Sequence, residues 1–206
     1  MLSNLKHYLI TQSIVATFYY LVKQLTPFKP IELQLTSIDL FIKPHPAAVW
    51  IYMSFFFLFM SGVVFSSKED SIRCCKIILI NSVIASIFFI LLPTTIIFDN
   101  YEPYLQKGTI SYDFMYLIKK NDDTYNCFPS LHIANSIIAT VFLVKKKKPL
   151  IQFLSISWLI LVIWSVISTK QHLFYDVIGG ALVAFASYSI IKNYEKKKKL
   201  DSIESA

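Results

Sequence analysis

Residues 150–176 read LIQFLSISWLILVIWSVISTKQHLFYD and join a long apolar run to a polar ending. No charged side chain occurs between residues 150 and 168. A helix that crosses a lipid bilayer needs about 20 mostly apolar residues, so the run predicts a transmembrane helix over Leu150–Ser168. Lys170, His172 and Asp176 follow at its end. Ionisable side chains are costly there unless they serve a function, which makes this ending the first candidate for a reaction site.

Five further apolar segments accompany this one. The chain is 55% hydrophobic and only 16% charged, whereas soluble domains carry about 25% charged residues. We therefore predict an all-α polytopic membrane protein with six transmembrane helices, in which residues 1–206 form a single membrane-embedded domain. The other predicted spans are Tyr8–Val22, Ala47–Phe65, Cys74–Phe98, Ser130–Val144 and Leu173–Ile191.

Basic residues cluster on one side of this six-span arrangement. They precede the first span, occupy the turns after the second and fourth spans, and follow the sixth. By the positive-inside rule this side is cytoplasmic, so both termini are expected in the cytoplasm. The net charge of +7 then reflects orientation in a bilayer, and no nucleic-acid partner is expected. The residues are Lys6, Lys68, Arg73, Lys76, Lys145–Lys148, Lys192 and Lys196–Lys199.

Two histidines are predicted to lie at the same depth on the opposite side of the membrane. His132 begins the fourth span, the chain turns at the lysine run, and His172 follows the returning fifth span. This hairpin brings both residues to the same membrane depth. His172 and Asp176 are four apart and share one face of a helix. The carboxylate can therefore hold one ring nitrogen of His172 and leave the other free to react.

The residues around both histidines resemble signatures of the type 2 phosphatidic acid phosphatase superfamily, which is related to vanadium haloperoxidases. Pro129-Ser130-Leu131-His132 resembles its second motif, Pro-Ser-Gly-His. Ser165 to Asp176 resembles its third, Ser-Arg, five residues, His, three residues, Asp. Leu131 replaces the motif glycine, Val166 replaces the arginine, and the first motif, Lys, six residues, Arg-Pro, is not recognisable. The Leu131 and Lys-Gln-His forms resemble an inositol phosphorylceramide synthase-like subgroup.

The resemblance implies roles for the site residues. His172 would attack phosphorus and form a phosphohistidine, Asp176 would orient His172, and His132 would protonate the leaving oxygen and then activate water or an acceptor hydroxyl. Neither a metal nor another cofactor is expected. Because the third-motif arginine is replaced and the basic first motif is not recognisable, the phosphate-binding group is expected from a different set of side chains. Its members are Ser130, Ser165, Lys170, Lys119 and Lys120, with Lys107 as a further candidate.

The resemblance also implies an integral membrane lipid phosphatase. Its substrate would be a membrane lipid phosphate or pyrophosphate, such as undecaprenyl pyrophosphate, phosphatidylglycerol phosphate, phosphatidic acid or a lipid A phosphate. The expected location is a bacterial inner (plasma) membrane, with the active site facing the periplasm or exterior. One alternative is a phosphotransferase of the inositol phosphorylceramide synthase type, which passes the phosphoryl group to an alcohol. Another is a non-enzymatic membrane protein. The sequence leaves the lipid and the oligomeric state open.

Overall fold

The computed structural model describes residues 1–25, 28–96, 107–121 and 126–204. These residues are predominantly helical, as the sequence predicts, and the only strands among them have two residues each. The predicted end of the third span, at Phe98, lies outside the described residues. The helices are α1 (Leu2–Leu25), α2 (Ser37–Phe41), α3 (Ala48–Met53), α4 (Phe55–Val64), α5 (Lys68–Leu91), α6 (Ile110–Asn121), α7 (Leu131–Val144), α8 (Pro149–Ser168) and α9 (Phe174–Glu204).

Three helices in the described part of the chain, α5, α8 and α9, are long and apolar enough to cross a membrane. The segments that correspond to the second and fourth predicted spans, Ala48–Val64 and Leu131–Val144, are apolar but shorter. Helix α1 has 24 residues, yet polar side chains such as Gln12 dilute its apolar character. The membrane-protein class therefore has direct support from three helices, and the count of six spans stays a prediction.

The second predicted span is divided into two helices at Ser54. Its hydroxyl donates to the carbonyl of Ile51 (2.6 Å) and accepts a hydrogen bond from the indole of Trp158 on α8 (2.8 Å). A serine hydroxyl that bonds to the preceding turn competes with the helical ladder and bends the backbone. The result is α3 and α4 in place of one continuous helix.

Helix α7 lies at the centre of the bundle and packs against α4, α5, α8 and α9. Its contact with α4 is close because of Gly62. A Cβ atom at that position would lie 2.5 Å from the Cα atom of Ala139. Small residues at a helix crossing let two backbones approach in this way. The buried core around the crossing includes Phe59, Ile138 and Phe142, and it fixes α7 within the bundle.

The two ends of the bundle differ in charge and construction. At one end Lys145 pairs with Asp70 (2.9 Å) and Arg73 pairs with Glu195 (2.9 Å). These ion pairs join the first two turns of α5 to the end of α7 and to the second half of α9, so the predicted basic turns do lie together.

At the other end two short strands pair in parallel, β1 (Ile31–Glu32) with β2 (Thr94–Thr95). Thr94 also bridges to Asn126, and its hydroxyl accepts from the amide of Phe128 (2.8 Å). The ladder fixes the chain that leads into α7, and the sequence did not predict it.

Candidate active site

A tight turn between α8 and α9 positions His172. Lys170 adopts a left-handed backbone conformation (φ 53°), its amide donates to the carbonyl of Ile167, and the amide of Gln171 donates to that of Val166 (both 3.1 Å). This pair of hydrogen bonds is the Schellman arrangement that closes many helices, usually with glycine at the left-handed position. The closed turn delivers His172 immediately before α9.

Asp176 serves both the helix and the histidine. Its Oδ2 atom accepts from the amide of Leu173 (2.8 Å) and lies 3.3 Å from Nδ1 of His172. A carboxylate in the first turn that accepts from the N-cap amide satisfies a donor that the helix leaves unpaired. The second contact is slightly long for a hydrogen bond, as is common in sites without substrate. Asp176 is fully buried, so both contacts are shielded from solvent.

A second buried carboxylate, Asp39 on α2, holds the same turn from the other side. Its Oδ1 atom accepts from the amide of Phe174 (2.9 Å), the first residue of α9. Its Oδ2 atom accepts from the amide of Thr36 in a capping box. Two acids therefore satisfy the first amides of α9, where the helix dipole favours negative charge.

Lys170 completes this connection to α2. Its ammonium donates to the carbonyl oxygens of Asp39 (2.6 Å) and Ile42 (2.8 Å), and the side chain is fully buried. Burial lowers the pKa of Lys170 from its ordinary value, and the nearby Asp39 carboxylate partly opposes the shift. These hydrogen bonds connect the Lys170 side chain to α2 and the residue that follows it, so the side chain supports the turn.

The start of α7 brings His132 to this turn. Ser130 caps the helix, because its hydroxyl accepts from the amide of Ile133 (3.4 Å). Pro129 lies before the cap and thus just outside the helix. The amide of Ser130 donates to the carbonyl of Asp176 (3.1 Å). A Cβ atom at Gly180 would lie 2.5 Å from the Ser130 carbonyl, so glycine permits this contact between α7 and α9.

The two predicted histidines are in direct contact. Nδ1 of His132 lies 3.0 Å from Nε2 of His172, and Nε2 of His132 lies 2.9 Å from the hydroxyl of Tyr52 on α3. One set of tautomers satisfies every contact: Tyr52 donates to His132, His132 donates to His172, and His172 donates to Asp176. In this arrangement Nε2 of His172 carries the lone pair that a nucleophile needs.

His132 also lines two cavities. One, of about 220 Å³, lies between α1, α4 and α7. The other, of about 390 Å³, lies between α3, α4 and α6 and is lined by Tyr52, Leu117 and Ile118 as well as His132. Phe55 and Phe56 line both cavities, and the Phe55 ring packs edge-on against the imidazole at 4.5 Å between centroids. The walls are mainly apolar, which suits lipid chains.

The predicted phosphate-binding residues lie in different surroundings. Ser130 is next to His132 and caps α7. The ammonium of Lys119 donates to the carbonyl of Lys170 (3.1 Å), which places this cation at the turn that carries His172. Lys120 is exposed on α6, and the hydroxyl of Ser165 donates to the carbonyl of Val162 (2.8 Å). A phosphate-binding role for each of these residues stays a prediction.

Comparison with known protein families agrees with the geometry. A family model of the PAP2 superfamily matches residues 45–190, which include α3 to α8, most of α9 and both histidines. The chain belongs to the PAP2 superfamily. This membership supports a phosphatase-type function on lipid phosphates, and it does not select the inositol phosphorylceramide synthase-like subgroup. Comparisons with curated proteins and with solved structures found no match.

Sequence reasoning missed two residues of this candidate site. Tyr52 lies inside an apolar run, where it resembles any of the 12 tyrosines in the chain. Asp39 had a local signal, since Thr36 and Asp39 have the spacing of a capping box. That signal predicts a helix start and gives no hint that the carboxylate also binds α9.

Proposed function

We propose that this PAP2 protein is an integral membrane enzyme that hydrolyses a lipid phosphate or pyrophosphate through a phosphohistidine on His172. The ordered contacts from Tyr52 through both histidines to Asp176 are the observation that carries the proposal. They supply a nucleophile, a proton donor and an orienting acid in one place, which phosphoryl transfer by covalent catalysis requires.

In the first step Nε2 of His172 attacks phosphorus while the bond to the lipid oxygen breaks. His132 gives that oxygen a proton, so the lipid leaves as an alcohol. The two imidazoles must separate to admit the phosphoryl group, because nucleophile and phosphorus need about 3–3.5 Å between them. A phosphate between the rings favours a doubly protonated His132, since opposite charge stabilises the charged form.

In the second step His132 takes a proton from water, and the water oxygen attacks the phosphohistidine. The phosphorus–nitrogen bond breaks and free phosphate leaves. Tyr52 suits both steps because a hydroxyl can donate to neutral His132 and accept from its protonated form. General acid–base assistance of this kind contributes about 10²–10⁴ in rate.

Lys119 is the cation that we propose for the phosphate. Its ammonium already lies against the backbone of the α8–α9 turn. The first amides of α7, next to Ser130, add donors at the positive end of a helix, where anions bind readily. Together they compensate for the motif arginine, whose place is taken by Val166 in this chain.

We further propose that the histidine end faces the periplasm or exterior of a bacterial inner membrane. The support is the gathering of the basic turns at the opposite end, where Lys145 meets Asp70. Under the positive-inside rule that end is cytoplasmic. The site then acts on lipids in the outer leaflet.

A phosphate-release panel tests the proposal. Purified protein in detergent is given candidate lipid phosphates and pyrophosphates, with and without a chelator, and with vanadate as a mimic of five-coordinate phosphorus. We expect release from at least one lipid, no effect of the chelator, and inhibition by vanadate. Lys119→Met should raise KM about 10-fold, the effect of one charge-assisted hydrogen bond, while the neighbouring exposed Lys120→Met should not. Absence of release from every lipid would refute the proposed activity.

A further inference from the structure

The smaller cavity beside His132 has a wall that lies outside the matched PAP2 residues. Helix α1 contributes Gln12, Val15, Ala16 and Tyr19, all of which precede residue 45. The superfamily match therefore says nothing about what this wall binds. Ala16 is exposed, so the cavity of about 220 Å³ is open to the surface of the bundle.

One polar atom on this wall lacks a partner. The Oε1 atom of Gln12 is buried without a hydrogen-bond partner among the described residues. Asn135, which is 4% exposed, lines the same cavity, and its side-chain oxygen accepts from the side-chain amide of Asn81 (3.0 Å). The Oε1 atom of Gln12 therefore needs a hydrogen-bond donor, and a hydroxyl group can donate to it.

The rest of the lining is apolar and excludes a purely aqueous filling. Val15, Phe55, Phe56 and Leu131 form most of the remaining wall. The volume corresponds to about seven waters, each of which would need two to four polar partners. An occupant that is apolar along most of its length and carries one hydroxyl matches this lining.

We propose that the cavity between α1, α4 and α7 binds a lipid alcohol, with its hydroxyl between Gln12 and His132. This inference rests on the proposed function, because His132 is the group that exchanges a proton with a lipid oxygen. His132 also lines the larger cavity by α6, so one imidazole serves both chambers. The phosphorylated lipid is expected in the larger cavity and the alcohol in the smaller one.

A lipid alcohol can come from two sources. It is the product of the first step, released when the phosphorus–oxygen bond breaks. It can also be an acceptor: its oxygen attacks the phosphohistidine, the phosphorus–nitrogen bond breaks, His132 takes the hydroxyl proton, and a phosphorylated alcohol leaves. Both sources place the same hydroxyl beside the same histidine.

The test is photo-crosslinking with a long-chain primary alcohol that carries a diazirine near its hydroxyl. The matched probe is the same diazirine chain with a terminal methyl group in place of the hydroxyl. Full-length protein in detergent is labelled, digested and mapped by mass spectrometry. The His172→Ala variant is labelled in parallel, since labelling needs no turnover. Failure of the proposed hydrolysis therefore leaves this test intact.

We expect the alcohol probe to label α1 between residues 12 and 19, with little labelling by the methyl probe. Gln12→Met should reduce labelling about 5- to 10-fold, the effect of one lost hydrogen bond. Ala16→Phe should block it by filling the cavity. The control Gln24→Met removes an exposed amide from the same helix and should label like the unmodified protein. Equal labelling by both probes, or no loss in Gln12→Met and Ala16→Phe, would overturn the proposal.

A second arm separates the two sources in active protein. A lipid phosphate is supplied together with a long-chain alcohol of different mass. Phosphorylation of the added alcohol identifies an acceptor, whereas inhibition with release of free phosphate alone identifies product binding. Either result supports the cavity assignment. An alcohol that is neither phosphorylated nor inhibitory would contradict it.

Discussion

Asp176 uses one oxygen atom for two contacts, and these contacts determine which tautomer His172 adopts. Because Oδ2 accepts from the Leu173 amide and lies against Nδ1 of His172, the carboxylate favours the tautomer whose Nε2 atom carries a lone pair, as the proposed mechanism requires. A group in that position needs to be an acceptor toward the histidine. Its effect on catalysis is therefore larger than its effect on packing.

Asp176→Asn is the variant that tests the charge of this residue. Asparagine can keep its oxygen in the place of Oδ2 and accept from both Leu173 and His172, but it loses the negative charge that stabilises His172 once Nε2 is bonded to phosphorus. A hydrogen bond to a charged group is worth about 1.5–3 kcal/mol, against about 1 kcal/mol for a neutral one, so we expect phosphate release to fall about 10-fold. The control Asp201→Asn changes an exposed acid on α9 and should keep full activity. Near-normal kcat in Asp176→Asn would show that the charge of Asp176 does not contribute to the mechanism.

Tyr52→Phe tests the end of the hydrogen-bonded series that runs from Tyr52 through both histidines to Asp176. The variant keeps the ring against His132 and removes only the hydroxyl that meets Nε2 at 2.9 Å. We expect kcat to fall about 10- to 100-fold, the value of one hydrogen bond to a charged group, with KM little changed. Tyr8→Phe removes a hydroxyl from another largely buried tyrosine and serves as the control. Equal kinetics for both variants would show that Tyr52 only packs.

At the residue scale, the sequence predicts the relative position of residues when helix geometry or a hairpin fixes their spacing. His172 and Asp176 are four apart, and a hairpin of two apolar segments returns His172 to the level of His132. Tyr52 meets His132 across 80 residues of sequence, and only the packing of α3 beside α7 creates that contact. No local pattern carries such information.

The turn between α8 and α9 is the element on which the site depends. Its closure uses a left-handed lysine, Lys170, and attaches it to α2 through two carbonyl oxygens. Glycine would relieve the backbone conformation but would remove the ammonium. Lysine at this position therefore makes the connection to α2, although glycine would adopt the left-handed conformation with less strain.

Lys170→Met separates a structural role from phosphate binding. The variant leaves the carbonyls of Asp39 and Ile42 buried without their donor, at about 1–3 kcal/mol for each. We expect a lower Tm in detergent and a lower kcat, because the turn that carries His172 loosens. Lys43→Met removes a nearby exposed lysine as the control. An unchanged Tm with a raised KM would instead favour the phosphate role predicted from the sequence.

Helix ends were predictable where local chemistry sets them. The fourth and fifth spans were predicted as Ser130–Val144 and Leu150–Ser168, and the helices run Leu131–Val144 and Pro149–Ser168, because a serine cap and a lysine run bound them. The break at Ser54 depends on the indole of Trp158, a partner from another helix. For the same reason the two short strands escaped prediction.

At the scale of the whole molecule, the ion pairs and the histidines occupy opposite ends of the bundle. Lys145 and Asp70 mark one end, and the parallel ladder between β1 and β2 marks the other. The sequence predicted this separation from the distribution of charge. The sequence could not establish the number of spans, because polar side chains interrupt the apolar residues of α1 and because α7 is short.

Single-cysteine labelling in intact cells tests the orientation. A membrane-impermeant maleimide should react with Leu35→Cys, near the histidine end, and should spare Lys147→Cys in the basic turn. Both positions are exposed, so accessibility in opened membranes provides the control. The positive-inside rule predicts this pattern. The reverse pattern would place the site on the cytoplasmic face.

The most direct measurement is the capture of the covalent intermediate. Protein is mixed with a radiolabelled lipid phosphate that it hydrolyses, quenched in alkali and analysed by mass spectrometry for phosphohistidine. We predict an acid-labile phosphoryl group on His172, absent in His172→Ala and accumulating in His132→Ala if the second step is slowed more than the first. Phosphate release at the normal rate from His172→Ala, or a phosphoryl group on another residue, would contradict the account.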